Sequence, residues 1–245
     1  MSTRVPYLDE LLAALGQPGC AFCRLLDATT DRYIDAVLFE MVNDVKVRDE
    51  LNAARGLCGR HAPLLVRTGG ALGSATMMQG VLKVLLRQLD AAEVEGVAPS
   101  RLRGLMRVVD PGGTHPAVER LAGSLAPQAP CPACAIEATF AAHYTATLLA
   151  QIMPDNPIAA TYRDSDGLCL PHFRMVVGRA LPGPALNALV AAQRAVWERL
   201  NGELEEFLRK SDYRFQKEPF GAERDSWQRA ISAVSGQYPA HRDEG

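Results

Sequence analysis

The sequence contains CAFC at residues 20–23 and GLCGRH at residues 56–61, and it then contains CPAC at residues 131–134 and GLCLPH at residues 167–172. The second pair follows the first at a constant offset of 111 residues, and the four motifs include all six cysteines of the chain. A chain with these repeated CxxC and CxxH pairs is built around two copies of one helical unit.

The duplication extends beyond the motifs. A gap-free comparison of residues 20–61 with residues 131–172 gives nine identities in 42 positions, where average composition gives roughly three by chance. Four of the nine identities are in the Cys and His positions, and a tyrosine and an aspartate also recur (Tyr33 with Tyr144, Asp44 with Asp155). We expect the tyrosines to pack beside the Cys and His side chains, and the aspartates to serve in turns or helix caps.

Each unit supplies three thiolates and one imidazole, which is a complete set of four ligands for a tetrahedral metal ion. The spacing predicts one set per repeat: Cys20, Cys23, Cys58 and His61 in the first, and Cys131, Cys134, Cys169 and His172 in the second. The alternative is pairing across the repeats, with the CxxC of one meeting the CxxH of the other. Zinc, two ions per chain, fits such sets best, and an iron–sulfur cluster is the alternative, since clusters accept histidine in place of cysteine.

Apolar residues recur at helical spacing after every motif, and no segment alternates with a period of two, so the predicted class is all-α. The predicted architecture is two tandem helical repeats, each built around a Cys₃His site, with a C-terminal helix packing on the core. The predicted divisions are residues 1–95, 96–126, 127–212 and 213–245, for the first repeat, linker helices, second repeat and tail. Within these we expect long helices after Gly69-Gly70 and after Pro182-Gly183, and a linker helix over Arg101–Val109.

The composition excludes several classes of protein. The net charge of −2 gives no field that would attract nucleic acid, and no apolar run approaches the ~20 residues of a membrane-spanning helix. Residues 1–20 do not read as a secretion signal, so we expect a cytoplasmic protein, in whose reducing environment such cysteine spacing indicates metal or redox chemistry.

The sequence favours structural over catalytic metal, because catalytic zinc keeps one open position and both sets here are full. Phosphate-binding loops, serine-nucleophile elbows and HExxH motifs are absent from the sequence. Arg24 and Arg60 stand beside ligands and can offset the negative charge of three thiolates. His143 and His115 are interpreted as surface positions.

The two CxxC…GLCxxH units, closed by the tail ERDSWQRA at residues 223–230, resemble a bacterial family of uncharacterised all-helical proteins with duplicated metal motifs. The resemblance covers nearly the whole chain. It implies metal binding and a C-terminal helix whose Trp227 docks on the core, and it supplies no activity.

The sequence thus predicts a cytoplasmic metal-binding protein, with zinc in structural sites and an adaptor role, binding protein partners but neither nucleic acid nor membrane. The alternative is a redox-active protein, in which thiolates are oxidised with metal release or an iron–sulfur cluster carries or senses electrons. The long helix over residues 184–210 is either core or the seam of a homodimer.

Overall fold

The computed structural model describes residues 5–92, 116–215 and 217–236, and within these ranges the chain forms ten α-helices and no β-strand. The predicted all-α class is confirmed. The helices, in chain order, are α1 (Leu8–Leu15), α2 (Ala21–Asp35), α3 (Val45–Ala53), α4 (Ala71–Asp90), α5 (Pro116–Leu125), α6 (Pro132–Gln151), α7 (Pro157–Asp164), α8 (Leu170–Val177), α9 (Pro184–Lys210) and α10 (Ser226–Ser235). A π-helical turn extends α2 over Ala36–Glu40, and 3₁₀ turns cover Ala62–Leu65, Tyr213–Phe215 and Ala222–Asp225.

The helix boundaries follow local signals in the sequence. Both CxxC motifs open a helix, since α2 and α6 each begin one residue after the first cysteine of the motif. The Asp44 side chain caps α3 by accepting a hydrogen bond of 2.9 Å from the Val47 amide. Pro184 occupies the first turn of α9, where a missing amide hydrogen costs nothing. The long helices α4 and α9 follow the glycine and proline breaks as predicted.

The chain divides into two compact units. One consists of Met1–Thr29 with Glu137–Gly245, and the other of Thr30–Ile136, so the divisions fall within α2 and α6. The core of the first unit is one cluster of apolar side chains from α1, α2, α6, α7 and α9, centred on Leu11, Phe22, Tyr144, Tyr162 and Leu189. The core of the second unit is formed by two smaller clusters, around Ile34 and Leu38 and around Leu51 and Met77.

The C-terminal helix packs on the core, as predicted, but through a different face. α10 contacts α8 and α9, and the side chains that it buries are Ser226 and Ser232. Trp227, which was expected to dock on the core, is 46% exposed, so that expectation is wrong. The face of α10 that meets α8 and α9 therefore carries small polar side chains, and the indole lies on the other side of the helix.

The linker helix over Pro116–Leu125 is present as α5. The predicted helix over Arg101–Val109 and His115 lie outside the described residues. In the described ranges, we find no helix with the length and apolar character needed to cross a membrane.

Candidate metal centres

The eight Cys and His side chains form two compact groups of four, and each group lies within one of the compact units. We call them site I (Cys20, Cys23, Cys169 and His172) and site II (Cys58, His61, Cys131 and Cys134). Each site therefore joins the CxxC of one repeat to the CxxH of the other. The eight residues are those that the sequence singled out, but the preferred grouping, one site per repeat, is wrong.

The lengths of the helices favour sites that join the CxxC of one repeat to the CxxH of the other. After Cys20, α2 and its π-helical turn run to Glu40, a span of about 30 Å at 1.5 Å per residue. The returning helix α3 has nine residues, which cover only about 14 Å. As a helix, α3 therefore covers only about half the length of α2 before the chain reaches Cys58. The same imbalance holds in the second repeat, where α6 has 20 residues and α7 has eight.

In site I the four donor atoms lie at the distances that a shared ion requires. The Cys23 Sγ atom is 3.8 Å from the Cys169 Sγ atom. The Nδ1 atom of His172 is 3.5 Å from the sulfur of Cys20, 3.4 Å from that of Cys23 and 3.2 Å from that of Cys169. All four atoms lie within 4.8 Å of one another.

Site II has almost the same geometry. The Cys58 Sγ atom is 3.7 Å from the Cys134 Sγ atom. The Nδ1 atom of His61 is 3.4 Å from the sulfur of Cys58, 3.6 Å from that of Cys131 and 3.4 Å from that of Cys134. In both sites the imidazole presents Nδ1, not Nε2, to the sulfurs.

The glycine of each GLC sequence produces the turn that aims the third sulfur. Gly56 has φ +93° and Gly167 has φ +65°, a left-handed conformation that glycine adopts without the steric cost of a Cβ atom. At Gly167 an added Cβ would also lie 3.1 Å from the Gln193 side-chain oxygen, so the position is crowded as well as left-handed.

The sulfurs of site I compete for protons. Contacts with Cys169 and Cys20, together with burial, raise the pKa of the Cys23 thiol far above its ordinary value. Contacts with Cys169 and Cys23 lower the pKa of Cys20, although burial acts in the opposite direction. Burial lowers the pKa of His172, but contacts with Cys169 and Cys20 outweigh it and raise that pKa to about 10.

Site II shows the same competition. Burial and then the Cys58 contact raise the pKa of Cys134 to about 12. Burial raises the pKa of Cys58, yet hydrogen bonds from the backbone amides of His61 and Arg60 outweigh it and lower that pKa. Each site thus stabilises some anionic sulfur but cannot hold three thiolates together by itself. A divalent cation removes this conflict, because its charge replaces the shared protons.

The recurring tyrosines pack against apolar side chains of the two units. Tyr33 packs, as Leu57 does, against the buried cluster of Ile34, Leu38 and Leu65, and burial, followed by the charges of Glu50 and Cys131, raises its pKa to about 12. Tyr144 is fully buried and packs on Phe22, the ring inside the CAFC motif, with 6.1 Å between ring centroids. Its hydroxyl donates a 3.0 Å hydrogen bond to a carboxylate oxygen of Glu10.

The other polar side chains around the sites differ in their contacts. Arg60 places its Nε atom 3.1 Å from His61 Nε2, so this arginine stands beside a ligand as predicted. Arg24 donates to the carbonyl of Pro18. His143 is exposed and stacks on Tyr7 at 5.2 Å between ring centroids, which agrees with a surface position.

Sequence reasoning missed Gln193. This side chain has no exposed surface. Its Oε1 atom accepts hydrogen bonds from the Tyr162 hydroxyl and, at 3.1 Å, from the Leu168 amide, and its Nε2 atom donates to the Leu168 carbonyl at 3.1 Å. Gln193 therefore holds both polar groups of the residue before Cys169. The signal in the sequence is one amide within the apolar stripe of Leu189 and Val196 on α9.

Comparison with known proteins shows the family of the chain. The family model for DUF6062, a family of unknown function, matches residues 8–241. The chain belongs to this family. It is also 22% identical over 218 residues to an uncharacterized 23.9 kDa protein encoded in the xynA 3' region of Caldicellulosiruptor sp. (strain Rt8B.4), covering 89% of this chain and 95% of that protein. No solved structure matches the chain.

Proposed function

We propose that this DUF6062 member is a cytoplasmic zinc protein that binds one structural zinc ion in site I and one in site II. The observation that carries the proposal is the spacing of the donors. Zn–S bonds of about 2.3 Å and Zn–N bonds of about 2.0–2.1 Å at tetrahedral angles separate two sulfurs by about 3.8 Å, and a sulfur from a nitrogen by about 3.6 Å. The corresponding separations are 3.7–3.8 Å and 3.2–3.6 Å.

The same spacing favours a single ion over an iron–sulfur cluster. A cluster distributes its four protein ligands over two or four iron atoms, which spreads the ligands more widely than one ion does. Here all four donor atoms of each site lie within 4.8 Å of one another. A structural role is supported by the ligand count, since four protein donors leave no open position for substrate or water.

The test is metal analysis of the full chain purified anaerobically. We expect two zinc ions per chain and a colourless protein. A brown protein with broad visible absorbance and bound iron would support the redox alternative instead. A protein that contains no metal, and that gives no thiolate-to-metal absorption when Co²⁺ is added, would contradict metal binding altogether.

An adaptor role is supported by the outward face of α10. Trp227, Ile231 and Val234 follow one another at helical spacing and are 46%, 59% and 64% exposed, and contiguous exposed apolar side chains mark interaction surfaces. Sedimentation velocity identifies the partner class. If a wild-type dimer becomes a monomer in Ile231→Glu, the partner is a second copy. If the wild type is a monomer at its highest soluble concentration, a second copy is excluded as the partner.

A further inference from the structure

We infer that the protein forms a two-fold symmetric dimer in which α10 of each copy docks into an apolar groove between α8 and α9 of the other copy. The inference rests on the interaction surface proposed for α10, and it names the partner as a second copy of this chain. We call the exposed side chains of Trp227, Ile231 and Val234 the ridge.

Helix α10 is amphipathic, but its apolar side faces solvent. The ridge side chains are spaced four and three residues apart, so they lie in one line along the helix. The side chains that α10 buries are instead Ser226 and Ser232. An amphipathic helix that lies in the apolar groove of a partner uses anchors at this same spacing of i, i+4 and i+7. The ridge therefore has the form of a ligand for a groove.

A groove of suitable character lies in the same compact unit, beside α9. It has a volume of about 500 Å³, and its apolar wall is formed by Phe173 of α8 and by Val190 and Trp197 of α9. The two rings pack edge to face with 5.4 Å between centroids, and both are partly exposed. Val190 is 45% exposed. Aromatic and apolar clefts of this size are typical binding sites, and here the cleft is open enough to admit a row of side chains.

The charged side chains at the edge of the groove pair with each other. Arg194 and Glu198 line the groove and form an ion pair of 2.7 Å between Nε and Oε1. On the exposed side of α10, the ridge has the uncharged neighbours Gln228 and Ser235. Docking of the ridge thus buries apolar surface without taking a lone charge out of water, which would be costly.

The size of the apolar surfaces favours reciprocal docking over simple pairing of two ridges. From their exposed fractions, the three ridge side chains present roughly 250 Å² of apolar surface. Two ridges packed on each other would bury only about 500 Å², which is in the range of crystal-packing contacts. Two ridges in two grooves bury about 1,000 Å², the area at which specific interfaces begin.

The ridge and the groove lie beside neighbouring sides of α9. Val196 and Leu200 of α9 face α10, since they line one crevice together with Ser232 and Ala233. Trp197, the next residue after Val196, lines the groove. A two-fold axis that passes between two such surfaces brings both contacts together in one closed interface. In this dimer α9 belongs to the core and to the seam at once.

Both tryptophans of the chain lie in this contact, Trp227 on the ridge and Trp197 in the groove. Tryptophan is enriched among the residues that dominate binding at protein interfaces, because it buries a large area and loses little conformational freedom. The two indoles also provide a fluorescence signal that reports on each side of the contact.

The first test is sedimentation velocity of the full chain over a range of concentrations. We expect a wild-type dimer with a dissociation constant on the order of micromolar. Ile231→Glu on the ridge and Val190→Glu in the groove should each weaken the dimer by about 100-fold, because each removes two central contacts per dimer. Val118→Glu is the control, since it makes the same change at a helical valine that is 54% exposed in the other compact unit. It should leave the dissociation constant unchanged.

A mixture of the two weakened variants distinguishes reciprocal docking from other dimers. In a heterodimer, the intact ridge of the Val190→Glu copy meets the intact groove of the Ile231→Glu copy. We therefore expect dimer in the equimolar mixture at a concentration at which each variant alone is a monomer. Failure of the mixture to associate, a Val190→Glu variant that dimerises like the wild type, or a wild type that is a monomer at its highest soluble concentration would each overturn the inference.

Tryptophan fluorescence tests the groove separately. Dilution of the wild type through its dissociation constant should shift the emission to longer wavelength, because both indoles gain contact with water. In Trp227→Phe the signal comes from Trp197 alone, and it should shift in the same direction as the dimer dissociates. Emission from Trp197 that does not change on dissociation would contradict docking in the groove.

Metal content and circular dichroism of the same samples separate this inference from the proposed zinc binding. The three glutamate variants should remain helical and bind as much zinc as the wild type. A protein that holds two zinc ions and stays a monomer would refute the dimer and leave zinc binding intact. A protein that dimerises as described but holds no metal would refute zinc binding and leave the dimer intact.

Discussion

The exchange of ligand pairs between the repeats makes a prediction that two double variants can test. Cys58→Ser with Cys131→Ser removes two donors from site II and leaves site I intact. Cys20→Ser with Cys58→Ser removes one donor from each site. Both variants replace two thiolates by hydroxyls of similar size, so each serves as the control for the other.

The magnitude follows from the ligand count. Structural zinc sites have apparent binding free energies of about 10–16 kcal/mol, so each of four donors contributes roughly 3 kcal/mol, or a factor of about 100 in affinity. After dialysis against a zinc buffer that fills the wild type but not a hundredfold weaker site, we expect one zinc per chain in the first variant. The second variant should retain none.

Pairing within the repeats predicts the opposite result. Cys20 and Cys58 would then belong to the same site, whereas Cys58 and Cys131 would belong to two different sites. The assay is metal content by mass spectrometry, with circular dichroism to confirm that both variants remain helical. One zinc in the Cys20/Cys58 variant, and none in the Cys58/Cys131 variant, would refute the grouping that the structure shows.

Further predictions concern stability and assembly. Gln193→Leu should lower the free energy of unfolding by roughly 3 kcal/mol, because the buried Leu168 amide and carbonyl lose their partner. Urea titration measures this change, and Asn201→Leu, which removes an exposed amide from the same helix, is the control. Gly236→Ala should cost about 1–2 kcal/mol, since φ is +81° there. Gly202→Ala, inside α9 with no atom within 4 Å of the new Cβ, should instead gain about 1 kcal/mol. Two fragments, residues 1–95 and residues 127–245, can be expressed separately and tested for zinc binding by chelator competition. We expect tight binding only after the two are mixed. Tight binding by either fragment alone would contradict pairing across the repeats.

The helices and the donor residues could be predicted because their signals are local. Apolar spacing marks α4 and α9, the side chain of Asp44 caps α3, and the CxxC motifs begin α2 and α6. The choice between two ways of joining the motifs is a tertiary question that spacing in the sequence does not answer. The pairing depends on helix lengths: α2 with its π-helical turn has 20 residues, whereas α3, which follows it, has nine.

Two other features were beyond the sequence for a different reason. The family resemblance implied that Trp227 docks on the core, but the side chains that α10 buries are Ser226 and Ser232. Gln193 was hidden because a single polar residue in an apolar stripe does not reveal its partner. Only the structure shows that it binds the backbone of Leu168.

Loop entropy is too small to account for the exchange of ligand pairs. Pairing across the repeats joins Cys23 to Cys169, 146 residues apart, and Cys58 to Cys134, 76 residues apart. Pairing within a repeat would close loops of roughly 35 residues, and each doubling of loop length adds only about 0.6 kcal/mol to the entropy that a cross-link removes from the unfolded chain. The gain is therefore about 1 kcal/mol per ion, whereas α3 and α7, with nine and eight residues, are too short to run back along the whole of α2 and α6. Geometry decides the pairing, and its consequence is that neither repeat completes a metal site without the other.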